Sequence, residues 1–361
     1  MRRRDFLRAA ASVPAVAILP ASLERSSSLF ANHSPHGLSQ TTAASIVKAP
    51  KLRTGDTVGI VTPATATFRQ VELDIVRESL EALGLKVRVG DHVMDRFGSL
   101  GGVDEARADD INRFIRDDDV RAIIPTRGGW GSSRLLPLID YDRLRRDPKI
   151  VMGYSDITAL LNGIHARTGL ITFHGPNGGG RWDAYSLDFT RRVLFQGEAV
   201  TFSNPRTEND RNVLTQIEHR IRTIAAGRAR GRLIGGNLTV LTAIMGSPYV
   251  PSMDGAILFL EDVSEQFYRV DRMMTQLRLS GALARIRGAV FGTCSECSPG
   301  EGYASFTLEE ILDNHLKPLK VPAWQGAMIG HDTPQWTLPV GLDVEIDATA
   351  GTLRMTEPGV A

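Results

Sequence analysis

Between residues 57 and 174, short apolar segments alternate with segments in which apolar residues recur every three or four positions. The first apolar segment is residues 58–61, and the segment after it places Leu73, Val76 and Leu80 at helical spacing. Continuous apolar runs of four or five residues are typical of buried parallel strands, and a period of 3.6 is typical of amphipathic helices. The β-α-β-α order predicts an open, mostly parallel sheet with helices on both faces. Further strands are predicted at residues 85–89, 120–124, 149–152 and 170–173.

The length of 361 residues indicates two domains, because single cores rarely extend beyond about 250–300 residues. Residues 197–230 are polar and contain few periodic apolar positions, so they are predicted to connect an N-terminal domain, 48–196, to a C-terminal domain, 231–361. The expected elements of the C-terminal domain are strands at 256–260, 288–291, 342–346 and 353–355 and an amphipathic helix at 268–279.

The first 47 residues have the composition of an export signal followed by a linker. Arg2-Arg3-Arg4-Asp5-Phe6-Leu7 precedes a weakly apolar stretch that is shorter than the roughly 20 residues of a membrane span. Paired arginines in this context resemble a twin-arginine signal, which predicts export to the periplasm by that machinery. The alternative is a basic N-terminus on a cytoplasmic protein.

Charge and cysteine content exclude several classes of protein. The formal net charge is +1, which argues against a nucleic-acid-binding protein, and two cysteines are too few for a disulfide-rich scaffold or a multi-cysteine metal site. Cys294-Ser295-Glu296-Cys297 has the spacing of a redox motif or half of a zinc site. Because a second pair of ligands is missing, ordinary buried thiols are expected, and whether the two cysteines pair is left open.

Ligands of parallel sheets bind at the carboxyl ends of the strands, so the loops that follow the predicted strands are the places to look for a site. After the strand at 149–152 comes Gly153-Tyr154-Ser155-Asp156 and then a helical segment. A serine on such a turn presents its hydroxyl above the sheet, as in a nucleophile elbow, although the pattern Gly-x-Ser-x-Gly is incomplete at Ile157. Helix capping explains a serine at this position equally well.

A glycine-rich loop, residues 126–133, follows the preceding strand and contains three glycines within four positions. Such a loop lets backbone N–H groups approach a ligand closely. It could form an oxyanion hole with the turn at Ser155, cradle a phosphate without the Walker pattern, or be a tight turn without a ligand.

A serine nucleophile requires a base and a group that orients the base. His174 and His331 both lie in loops near strand ends, and the residues around them do not distinguish between them. Glu261 ends the apolar run 257–260, which places a carboxylate at the mouth of a buried strand, where it needs a partner.

In combination, these motifs resemble the LD-carboxypeptidase family, which includes muramoyltetrapeptide carboxypeptidases and microcin-immunity peptidases. The resemblance covers roughly residues 48–356 and rests on the order of five motifs: Arg127-Gly128-Gly129-Trp130-Gly131, Gly153-Tyr154-Ser155-Asp156, Gly235-Gly236-Asn237-Leu238, Leu260-Glu261-Asp262-Val263 with Tyr268-Arg269-Val270-Asp271-Arg272, and Gly330-His331. It implies an α/β fold with a flavodoxin-like parallel-sheet N-terminal domain and a smaller, β-rich α/β C-terminal LD-carboxypeptidase domain. It also implies a homodimer and a serine peptidase that uses no metal or other cofactor.

The resemblance also assigns roles to individual residues. Ser155 is similar to the family nucleophile, His331 to its general base and Glu261 to the carboxylate that orients the base. The backbone N–H groups of Gly129 and Asp156 correspond to the oxyanion hole. Since the serine and its partners come from different domains, the site is expected in the cleft between them.

The substrate implied by the resemblance is a murein tetrapeptide, from which the enzyme would remove the terminal D-alanine. Arg127, Arg181 or backbone N–H groups are the candidates for binding the terminal carboxylate. Because the family's recycling enzymes are mostly cytoplasmic and this leader predicts export, another peptide substrate is an alternative.

Two further alternatives are a periplasmic ligand-binding protein without catalytic activity and an exported α/β-hydrolase esterase. A ligand-binding protein would not need Ser155, His331 and Glu261 within hydrogen-bonding distance of one another.

Overall fold

The computed structural model describes residues 45–211, 213–300, 305–332 and 334–361. The predicted signal, residues 1–47, lies almost entirely outside the described residues. The described strands are β1 (Thr57–Val61), β2 (Lys86–Val89), β3 (Val120–Pro125), β4 (Ile150–Gly153), β5 (Thr172–His174), β6 (Thr201–Phe202), β7 (Arg222–Ala225), β8 (Arg228–Asn237), β9 (Ile257–Val263), β10 (Gly288–Ser295), β11 (Ala323–Gln325), β12 (Leu338–Val340), β13 (Asp343–Asp347) and β14 (Thr352–Met355).

Helices separate most of these strands. The α-helices are α1 (Gln70–Ala82), α2 (Asp104–Arg116), α3 (Tyr141–Arg146), α4 (Thr158–Thr168), α5 (Ala184–Thr190), α6 (Glu208–Arg211), α7 (Leu238–Ile244), α8 (Phe267–Leu279) and α9 (Leu308–Leu316). A π-helical segment, Arg191–Gln196, extends α5, and short 3-10 helices span Ser132–Leu138, Ser155–Ile157, Leu283–Arg285 and Lys317–Leu319. In the described ranges, we find no helix with the length and apolar character needed to cross a membrane.

The first sheet confirms the predicted parallel core. Its order is β12-β5-β4-β3-β1-β2, and the strands from β1 to β5 are all parallel. The side chains of β3 and β4 are almost entirely buried, because helices cover both faces of the sheet. The strand β12 comes from the C-terminal part of the chain and pairs antiparallel with β5, which the sequence analysis did not anticipate.

The second sheet is built from the C-terminal half and has the order β6-β14-β13-β8-β9-β10-β11-β7. Its centre, β8 to β11, is parallel, and antiparallel strands extend it on both sides. The fold is therefore the predicted α/β class, with a parallel-sheet N-terminal part and a β-rich C-terminal part.

Residues 197–230, expected to be a connector, contribute β6, β7 and the first residues of β8 to this second sheet. The strand β6 has two residues, and only Ile224 of β7 is buried. Edge strands this short leave no alternating apolar pattern in the sequence, which explains why they were not predicted.

The prediction of ordinary buried thiols is wrong. Cys294 is the second-last residue of β10, and Cys297 lies in the turn that follows. The two form a disulfide with a Cα–Cα distance of 5.4 Å. Both cysteines are only partly buried. The Cys297 N–H donates to the Cys294 carbonyl, so the turn itself brings the two sulfurs together.

Candidate active site

Ser155 lies two residues after the end of β4, at the first position of a 3-10 helix. Its φ of 63° falls in the left-handed region, where a non-glycine residue is held only by its surroundings and where such residues cluster at functional sites. The residue at the N-cap position of the helix is Tyr154, so Ser155 does not cap it. The Asn177 side-chain oxygen accepts from the Tyr154 N–H at 3.1 Å and holds this turn in place.

His331 joins Ser155 to Glu261. Its Nε2 lies 2.9 Å from Ser155 Oγ, and its Nδ1 lies 2.8 Å from Glu261 Oε2. The Glu261 carboxylate lies in β9 and is completely buried, so it needs a hydrogen-bond donor, and the His331 ring supplies one. With the proton on Nδ1, the tautomer that a carboxylate favours, Nε2 is free to accept a hydrogen bond from the serine hydroxyl.

Contacts between α4 and β8 bring the serine and the glutamate together. The Asn237 N–H donates to Thr158 Oγ1 at 2.9 Å, and Asn162 Nδ2 donates to the Gly235 carbonyl at 2.8 Å. Asn237 is the register partner of Glu261 in the β8–β9 pair. The helix α4, which begins three residues after Ser155, is therefore hydrogen-bonded to β8, and β8 is the neighbour of β9, which carries Glu261.

The loop before His331 is fixed to the end of β10. The Thr293 N–H donates to the Ile329 carbonyl at 2.9 Å, and Gly330 has φ 138°. A Cβ on Gly330 would lie 2.4 Å from Thr293 Oγ1, so only glycine allows this close approach. The close contact with Thr293 therefore explains why glycine precedes His331 in the Gly330-His331 motif.

The pKa of His331 is raised above its usual value by its acidic neighbours. Burial of the ring is the largest single influence and lowers the pKa, but the hydrogen bond and charge of Glu261, with the charges of Asp262 and Asp332, outweigh it. The acidic surroundings therefore stabilise the protonated imidazolium that a general base forms during reaction.

The glycine-rich loop packs directly on Ser155. A Cβ on Gly128 would lie 2.9 Å from the Ser155 Cβ, and Gly129 has φ 116°, which favours glycine. The Asp156 carboxylate accepts from the Ser132 N–H at 2.7 Å, and Ser132 Oγ donates to the Asp156 carbonyl at 2.6 Å. These bonds tie the loop to the serine turn, so the backbone at Gly129 and Asp156 belongs to two segments that flank the serine.

A cavity of about 360 Å³ opens beside the serine. It is lined by Ser155 and His331, by Arg127 from the glycine loop, and by Glu72 from α1. Arg127 forms no ion pair within the ranges that the structure describes. Arg127 and Arg181 are both exposed, but Arg181 does not line the cavity, although its neighbour Gly180 does.

His174, the other histidine singled out by the sequence, is not brought to the serine. Its ring is completely buried, with its centroid 5.3 Å from that of Phe259 and 6.3 Å from that of Tyr154. Burial lowers its pKa to about 4, so it is neutral. Asn177 and Thr293 hold the site together and were missed. Asn177 could have been found, because it lies in the loop after a predicted strand.

Among the described residues, no group of three or more histidine, cysteine, aspartate and glutamate side chains is arranged to hold a metal ion.

Comparison with known proteins identifies related sequences. Residues 58–175 match the family model described as the LD-carboxypeptidase N-terminal domain, and residues 230–346 match the model of the LD-carboxypeptidase C-terminal domain. The chain is 35% identical to the probable murein peptide carboxypeptidase of Bacillus subtilis (strain 168), over 87% of this chain and 95% of that protein.

Solved structures give a consistent result. The structure of the microcin C7 self-immunity protein MccF in its wild-type apo state aligns with a TM-score of 0.78 and 29% identity, over 87% of this chain and 100% of the other. By sequence, that protein from Escherichia coli is 31% identical over 86% of this chain and 95% of its own length. The muramoyltetrapeptide carboxypeptidase of Oxalobacter formigenes aligns with a TM-score of 0.69 and 27% identity, over 83% and 97% of the two chains.

Proposed function

The chain belongs to the LD-carboxypeptidase family of serine peptidases, and from that premise we propose that it removes the terminal D-alanine from murein tetrapeptides through an acyl-enzyme. The observation that carries the proposal is the continuous hydrogen-bonded series Ser155, His331 and Glu261, of which Ser155 and His331 line a cavity. A ligand-binding protein would have no use for this series. Relatives named as murein peptide and muramoyltetrapeptide carboxypeptidases support the substrate class.

In the first half of the reaction, Ser155 Oγ attacks the scissile carbonyl carbon, which belongs to the L-configured centre that precedes D-alanine. At the same time His331 Nε2 takes the hydroxyl proton. Glu261 keeps the other ring proton on Nδ1 and stabilises the imidazolium that forms. The N–H groups of Gly129 and Asp156 donate to the developing oxyanion. Donors of this kind are worth about 2.7–4 kcal/mol each of barrier in comparable sites.

In the second half, His331 gives its proton to the departing amine of D-alanine, and the acyl-enzyme remains. A water molecule then attacks the ester carbonyl, with His331 as the base, and the reverse proton transfer releases Ser155. Gly128 and Gly129 line the cavity and place backbone rather than side chains beside the serine, which leaves room for the tetrahedral intermediate.

Arg127 is proposed as the residue that binds the terminal carboxylate, because it lines the cavity whereas Arg181 does not. Arg127→Gln is expected to lower kcat/KM for the tetrapeptide by about 10- to 100-fold, since a charge-assisted hydrogen bond contributes roughly 1.5–3 kcal/mol. Arg181→Gln serves as the matched control and should change kcat/KM less than about threefold, because Arg181 is an exposed charge that does not line the cavity. Equal losses in both variants would exclude Arg127 as the specific carboxylate ligand.

The pH dependence of the reaction follows from the state of His331. Because the protonated ring cannot accept the serine proton, kcat/KM is expected to fall as the pH is lowered through the pKa of His331. That pKa is raised, so the midpoint of the acid limb should lie above the usual histidine value of 6.5. A rate profile of the wild-type enzyme from about pH 5 to pH 9 measures this midpoint. A midpoint well below the usual value would contradict the assignment of His331 as the base.

The proposed reaction is tested by digesting a synthetic murein tetrapeptide with the purified protein and following D-alanine by mass spectrometry. The protein should release D-alanine from the tetrapeptide. It should not release the terminal residue from a control peptide whose last residue is L-alanine. Release from both peptides would identify a less selective peptidase, and release from neither would refute the proposed substrate.

A second peptide substrate is the alternative that the comparisons favour. The chain is similar to a protein named for self-immunity to microcin C7, and both the cavity and the serine would serve another peptide or amide bond equally well. A phosphonate probe that labels Ser155 in a protein inactive on the tetrapeptide would support this alternative.

Export and assembly extend the proposal. The twin-arginine pattern of residues 2–7 supports a periplasmic or exported enzyme that acts on wall peptides, and the resemblance to the family supports a homodimer. Fractionation of cells that express the full chain, with and without Arg2 and Arg3 replaced by lysine, tests the first point. Size-exclusion chromatography with light scattering tests the second.

A further inference from the structure

The Cys294–Cys297 disulfide lies beside the strand that carries Glu261. Cys294 is the register partner of Asp262, the residue that follows Glu261 in β9. The disulfide closes a turn, residues 294–298, which we call the disulfide turn. Any change in this turn therefore acts one residue away from the carboxylate that orients His331.

The disulfide turn is hydrogen-bonded to the segment that leaves β9. The Ser264 N–H donates to the Ser295 carbonyl at 2.8 Å, the Ser298 N–H donates to the Glu265 carbonyl at 3.1 Å, and the Phe267 N–H donates to the Ser298 carbonyl at 2.9 Å. The disulfide turn thus holds the backbone of residues 264–267, from the end of β9 to the start of α8.

Two residues at this contact have strained backbones. Ser264 and Glu296 both have φ 56°, and Ser264 Oγ donates to Glu296 Oε2 at 3.0 Å. Non-glycine residues remain in the left-handed region only where the surrounding structure fixes them. The disulfide is the covalent restraint at this place.

The opposite side of the turn is connected to His331. Thr293 directly precedes Cys294, and it holds the loop of His331 through its bond to Ile329 and its close contact with Gly330. The disulfide turn therefore adjoins the supports of two residues of the proposed triad, Glu261 and His331.

A disulfide between residues three apart stabilises the whole fold less than one that closes a long loop. Its short loop removes less conformational freedom from the unfolded chain. Its effect must be mainly local, on the turn and on the segments bonded to it. Glu296 and Ser298, the chain neighbours of Cys297, are exposed, and both cysteines are only partly buried, which gives a small reductant access to the turn.

We propose that Cys294 and Cys297 form a thiol–disulfide exchange site whose reduction lowers the reactivity of Ser155 by releasing the supports of Glu261 and His331. The inference rests on the proposed function for the roles of these three residues. The two cysteines are positioning residues and do not touch the substrate.

The exchange requires a dithiol reductant. One reductant thiolate attacks a cysteine sulfur, forms a mixed disulfide and displaces the other cysteine as a thiolate, which takes up a proton. The second reductant thiol then displaces the protein sulfur and leaves as its own disulfide. The protein gains two electrons and two protons, and the reductant loses the same number.

The test is the rate at which a fluorophosphonate labels Ser155, because this reaction needs no peptide substrate. Reduction with dithiothreitol, verified by mass, is expected to slow the labelling about tenfold, well within the loss that a misplacement of about 1 Å produces. Reoxidation should restore the rate. The acid limb of the labelling profile should also move to lower pH on reduction, because a weaker contact with Glu261 leaves the burial of His331 less compensated.

The matched control is the double variant Cys294→Ser/Cys297→Ser, which is expected to label slowly and not to respond to dithiothreitol. A reductant effect that persists in this variant would overturn the proposal, as would a reduced wild-type protein that labels at the rate of the oxidised one.

Hydrogen exchange separates this inference from the proposed function. Reduction should accelerate exchange at the amides of Ser264 and Thr293, whose bonds hold the turn and the loop of His331. Unchanged exchange at these amides would overturn the inference even if Ser155 is reactive. Failure of Ser155 to label in either redox state would instead overturn its role as the nucleophile.

Discussion

Ser155→Ala is expected to reduce kcat by about 10⁴- to 10⁶-fold, the loss that removal of a triad nucleophile produces in other serine peptidases. Without Oγ no acyl-enzyme can form, and only the oxyanion donors and substrate binding remain. The measurement is D-alanine release from the murein tetrapeptide. Because alanine at this position loses one hydrogen bond, to His331, the free energy of unfolding should fall by only about 1 kcal/mol.

Ser79→Ala is a suitable control for this substitution. Ser79 lies on α1, and its hydroxyl donates to the Ile75 carbonyl in the preceding turn, but it does not line the cavity. The control should retain wild-type activity. If the Ser155 variant kept more than about a hundredth of the wild-type kcat, another group would have to be the nucleophile.

The parallel sheet of the N-terminal part could be predicted because its strands are buried on both faces. Burial of this kind requires a continuous apolar run, as at residues 120–125, and the helices α1 and α2 bury one stripe each. The edge strands at 201–202 and 222–225 left no such pattern, because they are short and mostly exposed. Their pairing depends on partners far along the chain, which local periodicity does not reveal.

The candidate site could be predicted in part for the same reason. Ser155 and the glycine loop follow neighbouring parallel strands, so the topology alone places them together. Only the family resemblance favours His331 over His174, since the sequence predicts both histidines in loops near strand ends. The structure separates them physically, because His174 is packed against Phe259, whereas His331 touches Ser155. The disulfide could not be predicted, because it depends on the conformation of the turn between Cys294 and Cys297, which the cysteine spacing does not specify.

Glu261→Gln is expected to lower kcat by about 10⁴-fold, although glutamine has almost the same shape as glutamate. Glu261 is completely buried, and its Oε2 lies 2.8 Å from His331 Nδ1. A glutamine can turn its NH₂ group toward Nδ1, which would then have to accept a hydrogen bond. The ring proton would move to Nε2, and the ring could no longer take the Ser155 proton.

The residual activity of Glu261→Gln should also have a different pH dependence. In the wild-type protein burial lowers the pKa of His331, and the hydrogen bond and charge of Glu261, with the charges of Asp262 and Asp332, outweigh that effect. Without the carboxylate, burial is less compensated, and the acid limb of kcat/KM is expected to move to lower pH. A rate profile of the variant measures the shift. An acid limb that stays at the wild-type midpoint would mean that His331 does not depend on Glu261.

Asp262→Asn is the matched control, because Asp262 is the neighbouring buried carboxylate and does not contact His331. It binds Asn237 and Thr239 instead, so its loss should lower the stability of the β8–β9 region. Its effect on kcat should be far smaller than that of Glu261→Gln, since the hydrogen bond to His331 Nδ1 is preserved. Similar losses in both variants would show that any change of charge beside the ring impairs the reaction, and would remove the reason to assign the orienting role to Glu261.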